Sequence, residues 1–306
     1  MDLKPLAIGS AVYTDLNLTD DSLIDKLKDA LYKNRIIVIK NQELSEEDFC
    51  NLAYKLGEPI PYIQENYNHP DHELIFVSSN VKQGKTQKIG VPRTGGYWHS
   101  DTAFEPDPKA ITMLMPKILP VSIPRTTRFI DMSQVYNKLP KHLLDEIENA
   151  EFMHSGRYRY KVRPDDVGLD VTEILEMIDY IQEPVAHPAV LTHPYTGEKT
   201  IYGTRGFTIG IKDRGMDDSA RILQEIFDFA ETEEFIKEVR WEKGDVIIWD
   251  NRFLAHSSGR KKAPTENIHQ EVTKEEETMM YRITLKDGYP LSEEHSKIKE
   301  EETQAV

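Results

Sequence analysis

A chain of 306 residues with 39% hydrophobic and 30% charged residues is an ordinary globular sequence, neither low-complexity nor fibrous. Its net charge of -15 repels phosphate backbones and argues against a nucleic-acid partner, and no run approaches ~18 apolar residues, so no membrane span is expected. The start MDLKPLAIGS lacks the basic and apolar regions of an export signal, and the lone Cys50 excludes an internal disulfide or a CxxC pair. A buried small hydrophobe in a cytoplasmic protein is the expected role for Cys50.

Residues 20–35, DDSLIDKLKDALYKNR, space Leu23, Ile24, Leu27 and Leu31 at helical intervals, and IIVIK then reads as a buried strand. LSEEDFCNLAYKLGEP offers Ser45 as an N-cap, acids in the first turn and a Gly-Glu-Pro stop. Strands follow at LIFVSS, ITMLMP, TRFIDM, VAHPAVLTH, DVIIWD and MMYRITL, with short helices near 140–148, 172–182 and 217–231. Strands with helices inserted irregularly between them predict a mainly β fold, a double-stranded β-helix (jelly roll, cupin-like). Residues 1–290 are expected to form one domain with an insertion near 261–277, and 291–306 a polar tail.

Composition alone gives roughly 1.7 His-x-Asp/Glu occurrences, so the motif needs context. His69-Pro70-Asp71 carries a turn-making proline, and His269-Gln270-Glu271 lies in a polar segment. His99-Ser100-Asp101, within GGYWHSDTAF, reads as strand, where residues two apart share a face. DVIIWDNRFLAH supplies His256 as a third donor. Two imidazoles and a carboxylate suit ferrous iron with open positions, although the same donors also hold zinc and a lone His256 would read as a core histidine. Arg282, in an apolar strand, needs an anion: a cosubstrate carboxylate or an ordinary salt-bridge partner.

The order HxD, the threonine in PRTTRFIDM, WDNRFLAH and YRITLKDG resembles the taurine dioxygenase family of iron(II)- and 2-oxoglutarate-dependent oxygenases, over about residues 5–290. The resemblance implies that His99, Asp101 and His256 bind iron, that Thr127 and Arg282 hold the distal carboxylate of 2-oxoglutarate, and that O2 is the oxidant. The interval from His256 to Arg282 is longer than the family pattern. Within the family, IFVSSNV, IGVPRTGGYWHSD, PDPKAITMLMP, FIDM and THPYTGE resemble the isonitrile-forming oxygenases, which act on an N-carboxymethyl 3-amino fatty acid. That likeness implies substrate contacts from Tyr62, Tyr67, Arg125, Lys161 and Arg163. Thr102, Ile63 and Arg260 depart from it, standing where those enzymes have tyrosine, tyrosine and histidine.

GRYRYKVRP read as a strand would line Arg157, Arg159, Lys161 and Arg163 along one face as an anion site, with Arg157 and Arg159 on the solvated, acid-paired part of it. The expected partner is a small anionic molecule, with self-association into a homo-oligomer left open. A taurine-type hydroxylase of a small carboxylate or sulfonate, and a jelly-roll protein using its metal structurally, are the competing readings.

Overall fold

The computed structural model describes residues 1–81, 90–91, 94–121, 124–160, 166–259 and 273–292, and the account below concerns these. Strands β1 (Asp2–Pro5) and β2 (Ser10–Tyr13) lead into α1 (Asp21–Asn34), β3 (Ile36–Ile39) and α2 (Glu46–Leu56). β4 (Glu58–Ile60), β5 (Asn68–His69), β6 (His72–Ser79), β7 (Ile111–Ile118) and β8 (Thr126–Asp131) precede α3 (Met132–Lys138), α4 (Lys141–Ile147) and β9 (Glu151–His154). After α5 (Val171–Ile181) come β10 (Val185–Pro188), β11 (Val190–Thr192), β12 (Lys199–Ile201) and β13 (Thr208–Ile211). α6 (Met216–Ala230), β14 (Ile236–Arg240), β15 (Val246–Asp250), β16 (Leu254–Ser258) and β17 (Met279–Lys286) complete the order.

The helices start where the side chains dictate. Asp20 accepts from the Leu23 amide, and Ser45 and Asp48 form a reciprocal capping box, each satisfying an amide that the first turn leaves open. The apolar faces of α1 and α2 then cover one side of a nine-stranded sheet of order β1-β2-β3-β15-β7-β17-β6-β5, with β4 pairing the end of β17 beyond β6. A three-stranded sheet, β14-β8-β16, lies against the other side.

Strand periodicity divides the core. Ile37 and Ile39 of β3 and Val246 and Ile248 of β15 pack under the helices, whereas Ile36, Val38, Ile247 and Trp249 turn inward to meet Phe129, Val239, Trp241 and Leu254 of the smaller sheet. The same alternation sets the site. Tyr281, Ile283 and Leu285 face the helices, so Arg282 faces inward beside Met280; Ile111 and Met113 face the helices, so Thr112 faces inward.

The fold is mainly β with inserted helices, as expected, and three local expectations change. VAHPAVLTH is two strands: Pro188 has no N–H to continue the β10 ladder, and the Ala189 amide bonds Ala150 while its carbonyl accepts from Tyr202. Residues 157–159 make a 3-10 turn instead of a strand, because the Arg159 amide folds back on the Gly156 carbonyl. α3 begins within the segment read as strand, where Asp131 caps it by accepting from Ser133. Cys50 is half-buried against the helix-side core. Among the described residues no helix is long and apolar enough to cross a membrane.

Candidate active site

His256 sits on β16, in register opposite Phe129 of β8, and so faces the inter-sheet core. His99 meets it through an isolated antiparallel bridge, His99 N to His256 O at 3.0 Å and His256 N to His99 O at 2.7 Å. The expected strand through Asp101 is therefore a single bridge followed by a turn, with Thr102 at φ 58° reversing the chain and its hydroxyl accepting from the Lys109 amide. Gly95 completes the seat: it has φ 69°, its carbonyl accepts from Ser258 at 2.6 Å, and a Cβ there would meet the His99 ring at 3.2 Å.

The donor atoms of His99, Asp101 and His256 lie within 4.8 Å of one another, all buried. His99 Nδ1 faces the Tyr97 carbonyl at 2.8 Å, so its proton belongs there and Nε2 presents a lone pair, 3.8 Å from Asp101 Oδ1. His256 Nε2 is 3.6 Å from Asp101 Oδ2. Burial drives both imidazoles toward the neutral form, His256 to a pKa of about 3 with His99 as the second cause. Burial opposes ionisation of Asp101, yet the Arg282 guanidinium, more than any other neighbour, holds it down to about 2. Two neutral imidazoles and an anionic carboxylate are the protonation states a divalent cation requires, so these residues fit the ion.

The turn before His256 is pinned by a buried ionic cluster. Arg252 donates to Asp250 at 2.7 Å and to Asp287 at 2.5 Å, His193 Nε2 lies 2.9 Å from Asp250, and Tyr32 of α1 donates to Asp287 at 2.7 Å. Opposite charges within the cluster offset the desolvation that each would suffer alone.

Two cavities open beside the triad. The smaller, about 80 Å³, is bordered by Thr94, Leu114, Arg125, Thr127, Trp241 and Met280, and Arg282 borders both. Thr127 accepts from the Trp241 indole at 2.9 Å. Arg125, expected among substrate contacts, thus lies with Thr127 and away from the tyrosines. Arg282 reaches Asp101 Oδ1 at 2.7 Å and lies over Phe76 at 4.3 Å.

The larger cavity, about 150 Å³, is an aromatic cleft containing Tyr62, Tyr67, Phe76, Tyr97, Phe104 and Phe207. Tyr62 and Tyr67 both line it, and Ile63 and Thr102 border it too. Lys161, Arg163 and Arg260 lie outside the described residues, as does His269. Arg157 is paired with Asp179 at 2.7 Å, as read from the sequence. Arg159 is the residue that reading misplaced. It lines the cleft, its guanidinium 4.0 Å over the Tyr97 ring and its Nε donating to the Gly206 carbonyl, with no carboxylate partner among the described residues. Alternation in GRYRYKVRP could not separate the two arginines, because both lie on a 3-10 turn, where side chains do not alternate.

Two inward imidazoles and one carboxylate at the edge of paired sheets, with cavities on either hand, have the donor set of a mononuclear non-haem iron oxygenase. Residues 2–271 match the family described as taurine catabolism dioxygenase TauD, TfdA family, and the chain belongs to it. It is 27% identical over 277 residues to pentalenolactone F synthase of Streptomyces avermitilis, covering 85% of this chain and 88% of that protein. It is also 27% identical over 256 residues to the alpha-ketoglutarate-dependent 2,4-dichlorophenoxyacetate dioxygenase of Cupriavidus pinatubonensis, covering 80% and 85%. A taurine dioxygenase structure from Burkholderia xenovorans superposes with TM-score 0.71 at 23% identity over 96% of this chain and 91% of that one. AAD-2 in complex with Mn(II) and N-oxalylglycine superposes with TM-score 0.74 at 21% identity, over 95% and 100%. The protein is accordingly an Fe(II)/2-oxoglutarate-dependent dioxygenase that uses O2.

Proposed function

We propose that this dioxygenase oxidises the carbon of a heteroatom-linked carboxymethyl group, and in particular carries the N-carboxymethyl group of a 3-amino fatty acid to an isonitrile with loss of CO2. The observation that carries this reading is the aromatic cleft, which ends at His99 and Asp101 and holds two cations, Arg159 and Arg282. A cleft of that make-up suits an amphipathic anion: rings for the chain, guanidinium groups for carboxylates. One relative acts, by its name, on 2,4-dichlorophenoxyacetate, itself a carboxymethyl group on a heteroatom.

In this reading residues 1–290 are one jelly-roll domain of a cytoplasmic enzyme. Bound iron, with 2-oxoglutarate and O2, supplies an oxidant strong enough for a C–H bond. The chain supplies the rest. His99, Asp101 and His256 hold the ion. Thr127 and Arg125 line the smaller cavity that takes the distal carboxylate of 2-oxoglutarate, with Arg282 bordering both cavities. Tyr62, Tyr67 and Arg159 hold the substrate so that its CH2 beside nitrogen lies at the ion, and the rings keep water away. Lys161 and Arg163 are assigned to the same substrate by the sequence resemblance alone. The N-carboxymethyl amine loses four hydrogens in becoming isonitrile and CO2. Two molecules of O2 and two of 2-oxoglutarate take them up, giving two waters, two succinates and two CO2.

A single oxidation is the second reading, favoured by Thr102. Its side chain is buried, and its hydroxyl is committed to the Lys109 amide where the isonitrile-forming enzymes carry a phenol. A taurine-type hydroxylation stops at an alcohol beside nitrogen, which collapses to amine and glyoxylate. Incubating the iron-loaded protein with 2-oxoglutarate and an N-carboxymethyl 3-aminoalkanoate before admitting O2 separates the two. An isonitrile infrared band with two succinates per product supports the first, and glyoxylate with one succinate supports the second. No succinate above the substrate-free rate removes both.

A further inference from the structure

Behind Asp101 runs a chain of hydrogen bonds between buried side chains whose direction is fixed by chemistry. The Trp249 indole has only a donor, and its Nε1 meets Asn251 Oδ1 at 2.9 Å, which settles which way the amide faces. Asn251 Nδ2 then donates to the Lys109 carbonyl at 3.0 Å and to Thr112 Oγ1 at 2.9 Å. With its oxygen accepting from Asn251, the Thr112 hydroxyl directs its own proton to Asp101 Oδ2, 2.8 Å away. Trp249, Asn251, Thr112 and Asp101 are 0%, 1%, 0% and 3% exposed, so bulk water does not compete for any of these bonds.

The fold makes the chain rigid. Thr112 on β7 stands directly opposite Trp249 on β15 in the ladder, and both point into the inter-sheet core. Asn251 begins the turn that leads to His256, and its amide N–H is tied to the Ala110 carbonyl. The segment carrying one imidazole is thereby linked through Thr112 to the carboxylate.

We propose that Thr112 is a positioning residue for Asp101, holding the carboxylate at one rotation so that it offers a bound cation a single oxygen and leaves the remaining positions open. The proposal rests on Asp101 being a metal ligand. The last torsion of an aspartate is soft and roughly two-fold. Without the Thr112 proton Oδ2 loses its hydrogen bond, the Arg282 guanidinium, 2.7 Å from Oδ1, is left to hold the group by one oxygen, and the carboxylate is free to grip a cation with both oxygens and consume a position that 2-oxoglutarate needs.

The test is anaerobic titration of the full chain with Mn(II), followed by electron paramagnetic resonance of the free ion, for the wild type, Thr112→Val and Thr112→Ser. Thr112→Val, isosteric but without the hydroxyl, is expected to weaken Mn(II) binding by about 10- to 100-fold, with Thr112→Ser within about threefold of the wild type, the range seen when outer partners of metal ligands are removed. Near-ultraviolet circular dichroism checks that each variant is folded, and Thr112→Ala replaces the valine variant if that one is not. A folded hydroxyl-free variant that binds Mn(II) as tightly as the wild type overturns the proposal, and so does equal weakening in the serine variant. A wild type that binds no Mn(II) overturns the metal site itself, and this proposal with it.

Discussion

His99 and His256, 157 positions apart in the chain, exchange both backbone hydrogen bonds, and their rings stand 4.1 Å apart. The main chain, and not the side chains, brings the two imidazoles together. His256→Ala is therefore expected to fold, with Mn(II) affinity and O2-dependent succinate formation each falling by more than about 100-fold, beyond the range for outer-shell changes. Calorimetric titration and a succinate assay on the same preparation check this. A variant retaining wild-type metal affinity would remove His256 from the site.

Metal binding should also appear as stability. A ligand present at a hundred times its dissociation constant adds about 2.7 kcal/mol, so saturating Mn(II) is expected to raise Tm by roughly 5 °C for a domain of this size. Chelation should reverse the rise. In Asp101→Asn the Mn(II)-dependent increment should vanish, which a thermal melt with and without metal reads directly.

Arg157 and Arg159 separate the roles of two neighbouring cations. Among the described residues Arg159 has only the Tyr97 ring and the Gly206 carbonyl, whereas Arg157 is held by Asp179. Since a charged hydrogen bond is worth about 1.5–3 kcal/mol, Arg159→Gln is expected to raise the substrate KM by roughly 10- to 100-fold with little change in the KM for 2-oxoglutarate. Arg157→Gln should leave both unchanged. Steady-state kinetics with each substrate varied in turn decides the matter.

The reverse split is expected of Arg125→Gln. Arg125 borders the cavity of Thr127, not that of Tyr62 and Tyr67. Its loss should raise the KM for 2-oxoglutarate by at least about tenfold, one charged hydrogen bond's worth, and barely affect the KM for the carboxymethyl substrate. An increase confined to the latter would return Arg125 to the substrate.

Asp250 gives the pH dependence its sign. Burial pushes its pKa up, but Arg252 and His193 more than reverse this and hold it well below the usual carboxylate range. A depressed folded value means the stabilisation is complete above the unfolded value of about 3.9 and is lost as pH falls toward the folded one. Denaturant unfolding should show stability declining below about pH 4, and Asp250→Asn should flatten that decline while lowering stability at neutral pH, because Asp287 is then the one carboxylate left on Arg252 among the described residues. A variant with the same acid slope as the wild type would take Asp250 out of the account.

Local chemistry carried much of this protein into its sequence. Leucine spacing and capping residues set α1 and α2, apolar runs set β3, β7, β15 and β17, and GGYWHSD with WDNRFLAH marked the three groups of the candidate metal site, because donor type and spacing are properties of short segments. What no segment holds is which strand pairs with which, and that depends on burial summed over the whole chain. Pairing decided that His99 needs only one bridge to meet His256 and that Arg125 falls beside Thr127, while the 3-10 turn at 157–159 and its packing sent Arg159 into the aromatic cleft and Arg157 to Asp179. Thr112, an unremarked polar residue in an apolar run, acquires meaning only when β7 lies between β15 and β17 and faces it toward Asp101.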